Sequence, residues 1–416
     1  MELEVESIYP QYYNNLEETM IKQEKGFTLV ELMITMVVFF FVMAAGSQIF
    51  SGLLTQFKQQ SKITETNIEG VVGLEMLRQD LEQAGYGLPF DVPTGFTYQE
   101  AIDSKAATLP FIIPYTPSSF NEPTVSGKTN PPRAILNGDN AGWNGSDVLV
   151  IKAVNIARKP VTQKWTHLTV AGTKNWKDSS GIDIPSENFN SNDYIIALAT
   201  GHSDATVRNL LVNGAVFSKQ YSSVNDFAPP DATEARYIYG INDAQPRMPF
   251  NRADYFIVTD KAGVPQRCAR NLSTDTPLVG VLYKSLINHS DGALDANETL
   301  PLLDCVADMQ VIYRIDSDGD GTIDNTTDTT AALSDTNANG TIDADEIRRQ
   351  IKEIRVYLLA HEGQRDPNYR YANETMIVGA FGLGRTFNLK ATIGDPDYQY
   401  YRWKLYTIVV NPIDLR

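Results

Sequence analysis

Phe27 to Phe50 reads FTLVELMITMVVFFFVMAAGSQIF, 24 residues with a single charge, Glu31. As a helix rising about 1.5 Å per residue it reaches roughly 36 Å, more than the hydrocarbon core of about 30 Å. So long an apolar run exceeds what helices of water-soluble cores carry and predicts a membrane span. An ordinary secretory signal has a shorter apolar core followed by small residues at its cleavage site. Here the small residue, Gly26, precedes the run, with Lys22 and Lys25 on the same side. The positive-inside tendency then leaves the N-terminus in the cytoplasm and everything after the span outside.

The helix pattern continues past the apolar run. No proline occurs between Phe27 and Leu88. Leu54, Phe57, Ser61, Thr64, Ile68, Val71 and Glu75 follow one face and Leu74, Leu77 and Leu81 an adjoining apolar one, the spacing of a helix packed along one side. Gly85-Tyr86-Gly87-Leu88-Pro89 ends it. The expected organisation is a leader over residues 1–26, a spanning segment over 27–54, an amphipathic helical segment over 55–85 and a head over 86–416.

The string Lys25-Gly26-Phe27-Thr28-Leu29-Val30-Glu31-Leu32 resembles the type III signal of type IV prepilins and type II secretion pseudopilins. The resemblance implies a prepilin peptidase that cuts between Gly26 and Phe27 and methylates the new amine of Phe27. It implies that Glu31 receives the N-terminal amine of a neighbouring subunit during filament assembly. An unpaired carboxylate in the bilayer costs several kcal/mol, so a partner is expected on physical grounds too; snorkelling to the interface is the alternative. Leaders of this family are short and basic, whereas residues 1–19 hold Glu2, Glu4, Glu6, Glu17 and Glu18 and no Lys or Arg. Initiation at Met20 would give the leader MIKQEKG, which has the family character.

Met76-Leu77-Arg78-Gln79-Asp80-Leu81-Glu82-Gln83-Ala84-Gly85-Tyr86-Gly87 is similar to the helix end of PilW-like minor pilins, and Tyr401 to Val410 resembles their last strand. These matches imply an α+β, type IV pilin-like fold: a long N-terminal helix on an antiparallel sheet with large loop insertions. They also imply a minor pilin that joins major and minor pilins through its helix, held in the inner membrane before assembly and in a surface pilus afterwards. A pseudopilin of type II secretion, or a calcium-dependent adhesin on a pilin stem, is the alternative.

In the head, strand-like runs at Val148–Val154, Tyr194–Ala199, Tyr255–Thr259, Met309–Ile315, Ile354–Ala360 and Trp403–Val410 alternate with polar stretches. Residues 90–145 and 215–250 read as long loops or insertions. Asp316 to Glu346 holds nine acidic residues and no Lys or Arg, a crowding that calls for a counterion. Within it Asp335, Asn337, Asn339, Thr341, Asp343 and Glu346 fall at every ligand position of a twelve-residue calcium loop, with Gly340 at its sharp turn. Asp316, Asp318, Asp320, Thr322 and Asp324 begin a second loop that fails at position twelve, Thr327, with Asp328 as substitute. Hard oxygen ligands in this number indicate calcium, one or two ions; a solvated acidic loop is the bland alternative.

Cys268 and Cys305 lie outside any Cys-x-x-Cys pattern and leave one disulfide or two buried thiols, the disulfide favoured in an extracytoplasmic head. The four histidines, His167, His202, His289 and His361, stand apart from any catalytic constellation and read as surface residues; no enzyme is expected. With 35 basic against 51 acidic residues, net charge −16, the chain offers nothing to a nucleic-acid backbone.

Overall fold

The computed structural model describes residues 26–200, 208–214 and 216–415. The leader expected over residues 1–26 thus lies, but for Gly26, outside the described residues, as do Met20, Lys22, Lys25 and His202. The chain divides into two units, Met1–Gln59 and Gln60–Arg416.

One helix, α1, covers Leu29–Glu82. Thr28 starts it: its hydroxyl accepts from the Glu31 amide at 3.2 Å, and its own amide and hydroxyl donate to Glu31 Oε2 at 3.0 and 2.9 Å. This reciprocal Thr-x-x-Glu capping satisfies two donors that a helix start otherwise leaves open. Among the described residues of the first unit the apolar side chains stand in the open, with Phe27 83% and Phe57 73% exposed.

In the second unit the sheet order is Arg402–Val410, Ile351–Glu362, Leu294–Ile315, Gly280–Ile287, Asn251–Val258, Val148–Ala153, Ile135–Gly138, every neighbouring pair antiparallel. The short Asn325–Thr327 strand adds to Leu294–Ile315. The last turns of α1 pack on this sheet. Leu77 and Leu81 are fully buried, and a Cβ on Gly73 would lie 1.8 Å from the Leu302 carbonyl oxygen, so only glycine permits this approach. Of the two helical stripes read from the sequence, Leu74, Leu77 and Leu81 make the packed one, whereas Val71 is 63% exposed. The contact is pinned by charge. Asp80, 3% exposed, accepts from Tyr255 Oη at 2.6 Å and Lys284 Nζ at 2.7 Å, and Arg158 Nη2 reaches its other oxygen at 3.0 Å.

Residues 98–122 cover the opposite face of the same strands. There Lys152 Nζ lies 2.6 Å from Glu122 and 2.8 Å from Glu100, and fully buried Arg252 forks onto Asp254. Buried charges are tolerated only when so paired, and these explain a difference from expectation: the strand read as beginning at Tyr255 begins at Asn251, because its polar residues face a polar network.

A second antiparallel sheet runs Gly172–Thr173, Trp165–Thr169, Arg236–Asn242, Tyr194–Thr200, Arg208–Leu210, with Ser218–Gln220 beside Tyr194–Thr200. Reading 215–250 as loop is corrected here: Ser218–Gln220 and Arg236–Asn242 are strands of this sheet. Leu294–Ile315 likewise begins fifteen positions before the expected Met309.

Candidate functional site

The acidic segment connects Leu294–Ile315 to Ile351–Glu362. Each of its two loops is held by its own, similar ladder of hydrogen bonds. Asp316 accepts from Gly319 and Gly321 amides, Asp318 from Asp320, and Asp320 from Thr322; Asp335 accepts from Asn339 and Gly340, Asn337 from Asn339, and Asn339 from Thr341. Each loop turns back through a left-handed glycine at its sixth position, Gly321 at φ 91° and Gly340 at φ 83°, a conformation that costs other residues.

The loops differ in how they close. In the first, ligand atoms of Asp316, Asp318 and Asp320 lie within 4.8 Å of one another, and Asp324 is held by the Ser317 amide and hydroxyl. Thr327 is a strand residue paired with Tyr313, so the twelfth position offers no carboxylate. In the second, Asp343 caps the helix α2 (Ala344–Gln350), and Glu346 completes a capping box. Glu346 is 1% exposed and accepts from the Thr336 amide at 2.6 Å and the Asp343 amide at 3.0 Å. Position twelve is thereby drawn against position two. Both loops therefore present oxygen-rich turns suited to a hard cation, the first by crowded carboxylates and the second by a mixed set of Asp335, Asn337, Asn339, the Thr341 carbonyl, Asp343 and Glu346.

At the other end of the chain, Gly26 and Phe27 precede the first helical residue, Leu29, and both are exposed. The Gly26–Phe27 bond thus lies in non-helical backbone open to solvent, and Glu31 stands one capping interaction away from it. Leu29–Lys58 is long and apolar enough to cross a membrane, and none of its described side chains is buried. Residues 21–47 match the family model described as the prokaryotic N-terminal methylation motif. This N-terminal segment is that of a type IV pilin-like prepilin. The motif implies cleavage of the prepilin by a prepilin peptidase and assembly with other pilins, and together with the apolar helix it suits anchoring in the inner membrane before assembly. No curated protein and no solved structure matches the chain.

In the second unit, Cys268 and Cys305 are joined by a disulfide. It ties the connection after Asn251–Val258 to the middle of Leu294–Ile315. Beside it, His361 Nε2 accepts from the Ala269 amide at 2.9 Å and the imidazole packs 4.5 Å from the Tyr401 ring. His289 accepts at Nδ1 from the Arg247 amide and therefore donates from Nε2 to Asn251 Oδ1 at 2.9 Å. The expectation of surface histidines is corrected for these two: His361 is 1% and His289 8% exposed, and burial pushes both pKa values down to about 3. Each is a neutral imidazole serving as a backbone acceptor in the core. The unbroken apolar run just before His361, Val356 to Ala360, was the available signal.

Proposed function

We propose that this prepilin is a PilW-like minor subunit of a type IV pilus, acting in pilus assembly or initiation and carried in the filament by its N-terminal helix. The observation that carries this reading is the coincidence of the methylation motif with an exposed apolar segment, Leu29–Lys58, whose one acid, Glu31, lies beside the cleavage point. Cleavage would free the amine of Phe27. In the monomer Glu31 is satisfied by Thr28 of its own chain; in a filament the amine of a neighbouring subunit would replace that hydroxyl as the stronger, charge-assisted partner. The head then faces outward on the pilus surface, and its role is structural rather than enzymatic. Glu31→Gln, which keeps the size and removes the charge, should leave cleavage at Gly26 intact while reducing incorporation into sheared pili, read by immunoblot. Normal incorporation would sink the docking role. Loss of protein secretion with normal piliation in a gene deletion would point instead to a pseudopilin.

The acidic loops add calcium to this reading. The crowded carboxylates of Asp316, Asp318 and Asp320 and the oxygens gathered around Gly340 would hold one or two ions, which would supply the positive charge that the segment itself lacks. Ion binding would stiffen an outer connection between two sheet strands. Full-length protein in detergent should melt several degrees higher in millimolar calcium than in chelator, and Asp318→Asn with Asp335→Asn should abolish the difference. An identical melting temperature in both buffers would refute it.

A further inference from the structure

The ladder between Gly280–Ile287 and Leu294–Ile315 shifts register most sharply near Leu294. Ser285 faces Thr299 and Ile287 faces Leu294, so five steps of one strand run opposite two of the other and three extra residues are pushed out. Bulges interrupt pairing and are kept where they aim a side chain. The stretch looped out is Asp295-Ala296-Asn297-Glu298-Thr299, and of these five Asn297 is exposed while the others are half-buried. Asp295 Oδ1 accepts from the Asn297 amide at 2.9 Å, an Asx turn, and the Thr299 hydroxyl donates to the Asp295 carbonyl at 2.5 Å.

We propose that Asn297 is the acceptor of an N-linked oligosaccharide. Asn-x-Ser/Thr is the acceptor pattern, and it belongs on the surface of an exported protein. Seven asparagines of the chain stand in that pattern, and the structure separates this one from the rest. At Asn144 and Asn325 the hydroxyl residue of the triplet, Ser146 or Thr327, is buried. At Asn271, Asn288 and Asn339 the side-chain oxygen accepts from a backbone amide of its own triplet, and Asn373 is bonded to Tyr371. The exposed side chain of Asn297 has no hydrogen bond among the described residues, so its amide is open to solvent and a glycan there displaces nothing. Thr299 Oγ1 also lies 2.6 Å from Ser285 Oγ. Strand pairing thus closes over the hydroxyl that a transferase must read, which places the transfer during export, before the sheet is complete. The donor is an oligosaccharide on a lipid diphosphate. The amide nitrogen of Asn297 bonds to the anomeric carbon and the bond from that carbon to the diphosphate oxygen breaks. The lipid diphosphate leaves with the electron pair, and one amide proton passes to a base of the transferase. The proposal rests on the prepilin reading for one point, that the head is carried out of the cytoplasm.

The test is intact-mass and peptide-mass analysis of the full-length chain purified in detergent from its own cells. The expected result is a chain cut before Phe27 whose peptide holding Asn297 carries added sugar residues. Asn297→Gln should abolish the addition at an unchanged melting temperature. Thr299→Ala should abolish it and Thr299→Ser, which keeps the hydroxyl, should retain it, a second route should Asn297→Gln fail to fold. An unmodified Asn297 in a chain cut before Phe27 overturns the site, as does a glycan that survives Asn297→Gln or maps to Asn271 or Asn373 instead. A glycan at Asn297 on a chain with its leader uncut leaves the site standing and overturns the prepilin reading. A chain both uncut and unmodified overturns the two together.

Discussion

Asp80 joins the helix to the sheet through a single carboxylate that serves Tyr255, Lys284 and Arg158 at once. Removing one member of a buried pair strands the other, which costs more than the pair itself contributes. Asp80→Ala should therefore destabilise the fold by about 3–5 kcal/mol in chemical denaturation, and adding Lys284→Met should recover much of the loss. A pair of additive effects would mean the two groups are not coupled. His361 supports a prediction with a defined pH window. Its folded pKa of about 3 lies below the ordinary 6.5, so below pH 6.5 the unfolded chain takes up a proton that the folded chain refuses. The stability it contributes is complete above pH 6.5 and drains away as pH falls toward 3, by about 1.4 kcal/mol per pH unit. His289 acts in the same direction. Asp147 opposes them: burial holds its carboxyl up to about 7, so its contribution is lost as pH rises between 3.8 and 7. His361→Gln, which keeps an acceptor for the Ala269 amide, should shrink the stability lost between pH 7 and pH 5 by about 2 kcal/mol. An unchanged pH slope would show that His361 titrates normally.

At the level of elements, the close seat of α1 on the sheet depends on Gly73, where a Cβ would meet the Leu302 carbonyl at 1.8 Å, while Gly52 has nothing within 4 Å. Gly73→Ala should cost about 1–3 kcal/mol through displacement of the helix, despite the better helix propensity of alanine. Gly52→Ala on the same helix should leave the denaturation midpoint unchanged; equal effects at the two sites would remove the packing argument. The helix itself was legible because apolar length and helical period are strong local signals, and the Gly-Tyr-Gly-Leu-Pro stop is local too. Strands were legible where their residues are apolar, as in Val148–Ala153 and Ile351–Glu362. They were obscure where burial is made possible by distant partners. Asn251 to Asp254 carry no apolar strand pattern, and their place in the strand makes sense only once Lys152, Glu100 and Glu122 are placed opposite; Arg236–Asn242 contains Gly240, whose absent side chain admits the Val161 carbonyl. The calcium-loop spacing was legible residue by residue. That Glu346 folds back onto the Thr336 amide, and that Asp316, Asp318 and Asp320 converge, depends on backbone turns that composition does not specify.

On the scale of the whole molecule, the two units have opposite surfaces. Between Phe27 and Phe57 large apolar side chains stand exposed in succession, including Phe39, Phe40 and Phe41 at 65%, 72% and 69%. In the unit from Gln60 onward exposed apolar residues such as Ile112 and Leu272 are scattered, and scattered ones are ordinary for a protein surface. That unit also encloses its own hydrophobic core, from Leu77 and Leu81 through the sheet strands to Leu415, and its own disulfide. Its stability should therefore owe nothing to the apolar segment. Residues 60–416 expressed into an oxidising compartment should stay in solution without detergent, elute at the size of a monomer and unfold in one cooperative transition. Full-length protein stripped of detergent should aggregate through residues 27–57. Reduction of Cys268–Cys305 in the 60–416 piece should lower its unfolding free energy by about 3–4 kcal/mol, the value that chain entropy assigns to a closed loop of this length. A 60–416 piece that aggregates without detergent, or that needs the apolar helix to acquire a cooperative melt, would show that the unit boundary at Gln59 is not a folding boundary.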